Sequence, residues 1–208
     1  MEIQRAIEKG LDYYNIRHND EILKKICLYI EELGKWNEHI NLTGIKNPLA
    51  IVDILLYDAF FLFSNLAESK TILDMGSGSG ILAIPISILS EACGLIKVFS
   101  VDKSLKKIQF QRHIGRSLNF KGFIPIHGRI EMLEPMGADA LVVKGFGTTG
   151  EILENGRKHI KPDGRAFIVK GKNETPLDAV AGFCLEEEKL YNLPFSDRVY
   201  KLIIYRKV

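Results

Sequence analysis

The sequence predicts an α/β protein, in which a mostly parallel sheet ends in an antiparallel hairpin and is preceded by a helical extension. Three observations support this fold class. From Thr71 onward, apolar strands alternate with helical patterns, which implies parallel strands joined by right-handed crossovers. A glycine-rich turn follows the first of these strands. Residues 2–35 instead carry apolar side chains at helical spacing.

The helical extension is expected to span residues 1–66. Its first part predicts two or three amphipathic helices, because acids and lysines separate apolar residues at helical spacing. These apolar residues are Ile3, Ile7, Leu11, Tyr14, Ile22, Leu23, Ile26, Ile30 and Leu33. After a turn-rich link, a further helix is expected over about 48–66, with Pro48 near its first turn.

The sheet domain is expected to span residues 67–208. Its predicted strands are 71–75, 96–101, 122–127, 138–143 and 164–170, and its predicted helices are 81–92, 104–118 and 149–160. The segment 161–164 is a turn that leads into the fifth strand. Two last strands, 185–193 and 198–206, are separated by only a few residues, which favours an antiparallel hairpin.

The composition is that of an ordinary soluble protein, with 46% hydrophobic and 26% charged residues in 208. No apolar run approaches the ~18 residues of a membrane span, so no membrane association is expected. Three cysteines, Cys27, Cys93 and Cys184, lack metal-ligand spacing. They predict buried thiols in a reducing cytoplasm and no metal site. The net charge of +2 is too small to imply nucleic acid by itself.

The glycine-rich turn after the first strand predicts a nucleotide-like pocket. Glycines let the backbone bend sharply and approach a ligand, and the following helix offers free N–H groups. Gly78, Gly80 and Ala83 satisfy the loose dinucleotide pattern G-x-G-x-x-A. Asp74, two residues before Gly76, fits instead the glycine motif of S-adenosylmethionine (SAM) methyltransferases.

The choice between these two ligands depends on the acids near the turn. SAM carries a cationic amino group and a sulfonium, so a carboxylate such as Asp74 is favourable near it. Asp102, at the end of the second strand, can accept both ribose hydroxyls, but it would do so for NAD as well. Asp74 and the terminal hairpin favour SAM. A tight turn without a ligand is the third alternative, disfavoured because three glycines cost stability.

A basic stretch runs from Lys103 to Arg129 without a single acidic residue. On the predicted helix 104–118, the core stripe is expected to be Leu105, Ile108, Ile114 and Leu118. The candidate RNA-binding residues are Lys103, Lys106, Lys107, Arg112 and Arg116. A solvated helix face is the alternative. Because like charges repel without intervening acids, a polyanionic partner competes with it.

Several motifs together carry a family resemblance over most of the chain. They are W-N-E-H-I-N-L-T-G-I at 36–45, I-L-D-M-G-S-G-S-G-I at 72–81 with Ile84-Pro85, D-K-S-L-K-K at 102–107 with F-Q-R at 110–112, G-R-I-E at 128–131, V-K-G at 169–171, and Arg198 with L-I-I at 202–204. In these the chain resembles the bacterial 16S ribosomal RNA guanine-N7 methyltransferases, called RsmG or GidB.

The resemblance implies a Rossmann-like methyltransferase domain behind a helical extension. It implies methyl transfer from SAM to N7 of a guanine in the 530-loop of 16S rRNA, presented as free rRNA or in the small ribosomal subunit. Gly76 and Ile81 would line the cofactor, Asp102 would hold the ribose, and Ile130 and Glu131 would flank the adenine. The full set of candidate cofactor-binding residues is Asp74, Gly76, Gly78, Gly80, Ile81, Asp102, Ile130, Glu131 and Lys144. A monomer is expected.

One departure from the family concerns the end of the fourth strand. The family usually has Ser-Arg-Ala-Phe there, whereas this chain has V-K-G-F at 143–146. Lys144 therefore replaces the cofactor-contacting arginine and lacks its planar fork. We expect Lys144 to contact cofactor, phosphate or guanine O6, and Phe146 to stack on a base. The alternative for Phe146 is a core aromatic.

The chemistry implied by the resemblance requires few catalytic groups. Guanine N7 has a lone pair and no proton to lose, so alignment and desolvation matter more than a general base. The chain has neither the Pro-Cys motif of cytosine C5 methylation nor an Asp/Asn-Pro-Pro-Tyr/Phe motif after strand four. A SAM enzyme with another acceptor, or a SAM- and RNA-binding homologue with reduced activity, is the alternative. Near residue 40, Asn41 or Thr43 is expected to cap backbone groups, and Trp36 to be a core anchor.

Overall fold

The structure is a computed structural model that describes residues 2–66, 69–94 and 96–208, without the side chains of 92 and 93. The helical extension begins with α1 (Glu2–Tyr13) and α2 (Asp20–Ile40). A continuous helix follows, made of α3 (Pro48–Ile51), a π-helical stretch (Val52–Leu56) and α4 (Tyr57–Asn65).

Asparagine side chains define the ends of these helices. Asn19 accepts the Ile22 N–H at 2.9 Å and begins α2, and Asn47 caps the helix that starts at Pro48. The helix α2 extends beyond the predicted range, to Ile40, and ends where Asn41 adopts a left-handed conformation with φ 46°.

The turn after α2 folds back on the helix through Asn37. Its side-chain oxygen accepts the Thr43 N–H at 2.8 Å, and its amide donates to the Ile45 carbonyl at 3.1 Å. Thr43 Oγ1 accepts the Ile45 N–H at 3.2 Å, so the predicted capping role of Thr43 is confirmed. Asn37 was not predicted to take part.

The sheet contains eight strands in the order β3-β2-β1-β4-β5-β8-β7-β6. The strands are β1 (Thr71–Met75), β2 (Lys97–Asp102), β3 (Phe123–His127), β4 (Ala138–Lys144), β5 (Ile160–Gly171), β6 (Ala179–Val180), β7 (Phe183–Asn192) and β8 (Val199–Lys207). The helices between them are α5 (Ala83–Cys93), α6 (Leu105–Ser117) and α7 (Thr149–Gly156). The first five strands are parallel, and the last three are antiparallel. The predicted fold class is confirmed.

The fifth strand begins earlier than the sequence predicts. The paired register jumps from Ala138 opposite Ile160 to Ala140 opposite Arg165, so the predicted turn 161–164 is an irregularity within β5. Asp163 adopts φ 59° there. The short edge strand β6 was also not predicted, because a two-residue strand has no periodicity to detect.

The helical extension shares a hydrophobic core with one face of the sheet. Buried residues of α1, α2 and α4 form one cluster with α5 and β4, for example Leu11, Ile30, Phe60, Ile84 and Val142. A second cluster lies between the other face and α7. The two predicted units, residues 1–66 and 67–208, are thus packed on one another through a common core. Their division into separate domains stays a prediction.

Two statements made from composition need correction, on the length of the longest apolar segment and on the burial of the thiols; the expectation of no membrane association is not contradicted. The continuous helix Pro48–Asn65 is long and apolar enough to cross a membrane by length and composition, with a mean hydropathy of 1.5. It was overlooked because Asp53 and Asp58 interrupt the apolar run. The core helix of a soluble protein passes the same test, and 44% of this window is buried. Among the thiols, Cys27 is partly exposed and Cys184 is exposed, so these two are not buried as predicted. The side chain of Cys93 lies outside the described part of the chain.

Candidate active site

A cavity of about 510 Å³ opens at the carboxyl ends of β1, β2 and β4. This is the edge at which α/β sheets bind ligands. The lining residues come from the ends of these strands and the turns that follow them: Met75, Gly76, Val101, Asp102, Lys103, Ser104, Lys107, Gly128, Arg129, Ile130, Glu131, Gly145, Phe146, Gly147 and Asn155.

The glycine turn after β1 forms one wall of the cavity through Gly76. The N–H groups of Gly76 and Ser77 both donate to the Val101 carbonyl, at 2.9 and 3.0 Å, which fixes the turn to the end of β2. Gly76, Gly78 and Gly80 have φ values of 72°, 60° and 76°, a region that side chains disfavour. The sequence therefore needs glycine at all three positions for this turn.

Asp102 connects the end of β2 to the glycine turn. One carboxylate oxygen accepts the Gly78 N–H at 2.9 Å, and the other accepts the Ser104 N–H at 2.8 Å. Each oxygen has a second lone pair, so the carboxylate can still accept ligand hydroxyls. Asp102 thus shapes the turn and also lines the cavity.

Asp74 lies beneath the turn and does not line the cavity. Its side chain is buried, and its carboxylate accepts the Ala83 N–H at 3.1 Å. It therefore caps α5, which begins at Ala83 and not at the predicted Ile81. Burial raises the pKa of Asp74 to about 8, and the charge of Asp102 adds to the increase while the Ala83 hydrogen bond opposes it.

Gln111 is a site residue that the sequence analysis missed. It is fully buried on α6, accepts the Ser100 hydroxyl at 2.6 Å, and donates to Ser77 Oγ at 2.9 Å and to the Gly78 carbonyl at 2.8 Å. The signal was a polar residue midway between two core positions, Ile108 and Ile114. Gln111 thus connects α6 with the end of β2 and with the glycine turn.

The predicted adenine-side residues lie in a short 3-10 turn, Ile130–Met132. Ile130 is buried, and its carbonyl is 3.0 Å from His159 Nε2. The Glu131 carbonyl accepts from Lys158 Nζ at 2.9 Å. Both predicted residues line the cavity.

Lys144 and Phe146 point in different directions at the end of β4. The Lys144 ammonium pairs with the carboxylate of Asp58 in α4 and donates to the Ile54 carbonyl at 3.0 Å. It is therefore held by the helical extension and does not line the cavity. Phe146 does line it, lies against Gly76, and also packs against the second core cluster.

The five basic candidates fall into two groups. Lys103 and Lys107 line the cavity, and Lys106 is exposed in the first turn of α6. Arg112 and Arg116 are exposed farther along the same helix, away from the cavity edge. Within the described part of the chain, none of the five forms a salt bridge.

The core face of α6 differs from the predicted stripe. Ile108, Ile114 and Leu118 are buried as predicted, but Leu105 is 46% exposed because it lies in the first turn, at the edge of the sheet. Phe110, not predicted, is fully buried. The ring centroid of Trp36 in α2 lies 5.5 Å from that of Phe110, so the predicted role of Trp36 as a packing anchor is confirmed.

Of the predicted residues, the cavity brings together those at the strand ends: Gly76, Asp102, Lys103, Lys107, Ile130, Glu131 and Phe146. Those outside its lining are Asp74, Gly78, Gly80, Ile81, Lys106, Arg112, Arg116 and Lys144. Asp74, Gly78 and Gly80 contribute through the shape of the turn.

This arrangement is the fold of the SAM-dependent methyltransferases. A parallel sheet ordered β3-β2-β1-β4-β5 has antiparallel β8 and β7 beside it, with a glycine turn after β1 and an acid at the end of β2. Solved structures of methyltransferases share the fold. M. jannaschii TYW2 in complex with AdoMet aligns with TM-score 0.55 and 17% identity, over 71% of this chain and 74% of that one. The B. subtilis M1A22 tRNA methyltransferase TrmK aligns with TM-score 0.53 and 14% identity, over 70% and 65%.

Within this class, the chain belongs to the GidB family, rRNA small subunit methyltransferase G, whose family profile matches residues 22–182. Relatives named Ribosomal RNA small subunit methyltransferase G are similar over nearly their whole length. The protein of Geobacter sp. (strain M21) is 32% identical over 97% of this chain and 96% of its own. That of Geobacter metallireducens is 34% identical over 98% and 96%. The family predicted from the motifs is confirmed.

Proposed function

We propose that this protein transfers a methyl group from SAM to N7 of a guanine in the 530-loop of 16S rRNA. The observation that carries the proposal is the cavity at the carboxyl edge of the sheet, where Asp102, Gly76 and Phe146 converge beside Lys103 and Lys107. Among the described residues, neither lysine forms a salt bridge. The family supplies the class of acceptor, since its members are named for the small-subunit rRNA.

The residues of the cavity fit SAM. Asp102 offers open lone pairs to the ribose hydroxyls, and the buried side chain of Ile130 offers an apolar surface to the adenine. Gly76 brings backbone to the cavity wall, and a Cβ atom at this position would collide with the Phe146 ring. The cavity volume, about 510 Å³, is in the range of small-molecule sites.

The mechanism needs positioning more than acid–base chemistry. SAM supplies an electrophilic methyl group. Guanine N7 presents a lone pair and carries no proton, so no residue has to act as a general base. We infer that Phe146 stacks on the target base and excludes water from it, and that the walls of the cavity align the base.

The lysines at the cavity edge, of which Lys103 and Lys106 are exposed and Lys107 is half-buried, are proposed to bind RNA phosphates. Lys103 and Lys107 would contact the nucleotides nearest the target, and Lys106 the next ones, because these three lie at the start of α6. Arg112 and Arg116 would extend the same basic surface along the helix. Lys144 is not proposed as an RNA or cofactor contact in this state, because Asp58 holds its ammonium.

The proposed activity can be tested by methyl transfer to deproteinised 16S rRNA and, in parallel, to assembled small subunits. We expect 7-methylguanosine in the 530-loop, detected by mass spectrometry of nuclease fragments, with one of the two substrates preferred. An Asp102→Ala variant is the negative control. Tight SAM binding in calorimetry with no methylation of either substrate would refute the proposal and favour a homologue that binds without turnover.

The basic surface can be tested separately by the salt dependence of RNA binding. A plot of the logarithm of the RNA association constant against the logarithm of salt concentration has a negative slope. Removing one phosphate contact makes this slope shallower by about 0.7 for single-stranded RNA. We expect Lys106→Ala to show this change. Lys121→Ala is the matched control, because this exposed lysine precedes β3 at the opposite edge of the sheet. Equal effects of the two substitutions would contradict the assignment.

We further propose that the protein acts as a monomer in the cytoplasm. The cavity is built within one chain, and the large exposed apolar side chains, such as Met132 and Leu190, come from separate elements. Size-exclusion chromatography with light scattering tests this; a stable dimer would contradict it.

A further inference from the structure

A buried carboxylate links the helical extension to two strands of the sheet. Asp58 of α4 is 0% exposed. One of its oxygens accepts the Tyr191 hydroxyl of β7 at 2.5 Å, and the other pairs with the Lys144 ammonium at the end of β4. Residues on both sides of Asp58 in the helix are apolar and buried, including Tyr57, Ala59 and Phe60.

Packing alone does not require a charge at this position. Removing two charges from water costs several kcal/mol per ion, and well-packed apolar residues commonly replace a buried ion pair without loss of stability. Burial raises the pKa of Tyr191, so its hydroxyl remains a donor to Asp58. The carboxylate thus has one partner in the hairpin and one at the end of β4, beside the cavity.

The Lys144 side chain is well restrained. Besides Asp58, its ammonium donates to the Ile54 carbonyl in the π-helical stretch and lies 5.6 Å from the centre of the Tyr200 ring. All these partners lie on the side of the sheet that faces the helical extension. The restraint therefore fixes the last residue of β4 from that side.

The segment after Lys144 depends on such a restraint. Gly145 and Gly147, with φ 70° and 41°, flank Phe146 and make the backbone on both sides of it permissive. The far end of the segment is held by a capping box, in which Thr148 and Glu151 exchange hydrogen bonds at the start of α7. Lys170 Nζ also donates to the Gly147 carbonyl there, at 2.7 Å. The near end is held by the pairing of Lys144 with Val169 of β5 and, through the Lys144 side chain, by Asp58.

We propose that Asp58 is a positioning residue for methyl transfer. By holding Lys144 it fixes the near end of the Gly145–Gly147 segment, and so it keeps the Phe146 ring against Gly76 at the cavity. Asp58 touches neither acceptor nor cofactor in this role. The inference rests on the proposed role of Phe146, and it makes the helical extension a working part of the active site.

The test compares two substitutions that each remove one of the contacts of Asp58. Asp58→Asn keeps the side-chain volume and an acceptor for Tyr191, but it removes the charge that holds Lys144. Tyr191→Phe removes the other hydrogen bond and leaves the Lys144 pair intact. A merely structural role predicts that both variants lose activity in proportion to their unfolded fraction.

We expect Asp58→Asn to lower kcat on the ribosomal substrate by about 10- to 100-fold, since misplacement by about 1 Å can cost that much. The SAM dissociation constant should change by less than about threefold, because Asp102 and the glycine turn are untouched. Tyr191→Phe should retain kcat within about threefold at a temperature where it is folded. Wild-type kcat in folded Asp58→Asn, or equal kcat losses in the two variants, would overturn the proposal.

Two further measurements separate this inference from the proposed function. Hydrogen exchange of the amides of Gly145, Phe146 and Gly147 should accelerate in Asp58→Asn and not in Tyr191→Phe, whether or not the chain methylates rRNA. Lys144→Gln should reproduce the kcat loss, and the double variant should lose no more than either single one, since both act through one contact. Multiplying losses, or unchanged exchange in Asp58→Asn, would refute it. If Asp58→Asn fails to fold, wild-type kcat together with unchanged exchange of these amides in Lys144→Gln would refute it.

Discussion

Phe146 lies so close to Gly76 that a Cβ atom on residue 76 would be 2.4 Å from Cδ2 of the ring. The aromatic ring at the end of β4 and the glycine turn at the end of β1 therefore form one surface of the cavity. This contact limits what can occupy either position.

The first prediction concerns that contact. Gly76→Ala should displace Phe146 and strain a backbone at φ 72°, so we expect a loss of about 1–3 kcal/mol in unfolding free energy and at least ~10-fold weaker SAM binding. Urea unfolding and calorimetry measure the two effects. The control is Gly34→Ala in α2, where the added Cβ atom would meet no described atom within 4 Å beyond its own stretch of helix; it should stabilise the protein by about 0.5–1 kcal/mol. Normal SAM affinity in Gly76→Ala would show that Phe146 adapts freely.

A second prediction separates the two roles of Asp102. Asp102→Ala removes the ribose acceptor and leaves the N–H groups of Gly78 and Ser104 without their partner. We expect SAM binding to be lost together with about 1–3 kcal/mol of stability, because two buried or partly buried N–H groups lose their acceptor. Excess SAM should raise the melting temperature of the wild type and leave that of the variant unchanged. An unaltered unfolding curve would show that solvent replaces both hydrogen bonds.

A third prediction tests Gln111 as a support of the turn. Gln111→Met preserves the length of the side chain but leaves the buried Ser100 hydroxyl without its acceptor. We expect a loss of about 1–3 kcal/mol and weaker SAM binding, because Ser77 and the Gly78 carbonyl also lose a donor. Gln109→Met is the matched control, since Gln109 is exposed on the same helix. If both substitutions behave alike, the buried hydrogen bonds contribute nothing measurable.

A fourth prediction follows from the protonation of Asp74. Burial raises its pKa from 3.8 to about 8 in the folded protein. Between these values the folded chain retains a proton that the unfolded chain releases, so this group's contribution to stability falls as pH rises, by at most ~1.4 kcal/mol per unit. Asp74→Asn should remove that slope. Urea unfolding of both proteins at several pH values from 5 to 8 gives the difference, in which the other groups cancel. Parallel stability curves would contradict the prediction.

The local features of the fold could be read from the sequence. The glycine turn, Asp102 and the alternation of strands and helices depend on neighbours in the chain, and the structure reproduces them with shifts of a few residues. The irregular start of β5 was misplaced because a proline-aspartate-glycine turn can also be accommodated within a paired strand.

The contacts that support the site could not be predicted from the sequence, because they join residues that are far apart in the chain. Asp58 and Lys144 are 86 residues apart, and Gln111 lies 34 residues from Ser77. Periodicity indicates that a helix face is buried, but not which polar group it will meet. Lys144 was assigned to the cavity from the family motif, whereas its partner lies in the helical extension, whose packing no single-sequence pattern predicts.

Trp36 provides a fluorescence signal for the contact between the helical extension and α6. It is the single tryptophan of the chain, and its ring lies 5.5 Å from that of Phe110 and 5.2 Å from that of His113, both on α6. The helix α6, which carries the basic surface, therefore packs against the single tryptophan of the chain. Changes in the fluorescence of Trp36 would therefore report, without any label, a movement of α6 relative to the helical extension when RNA binds.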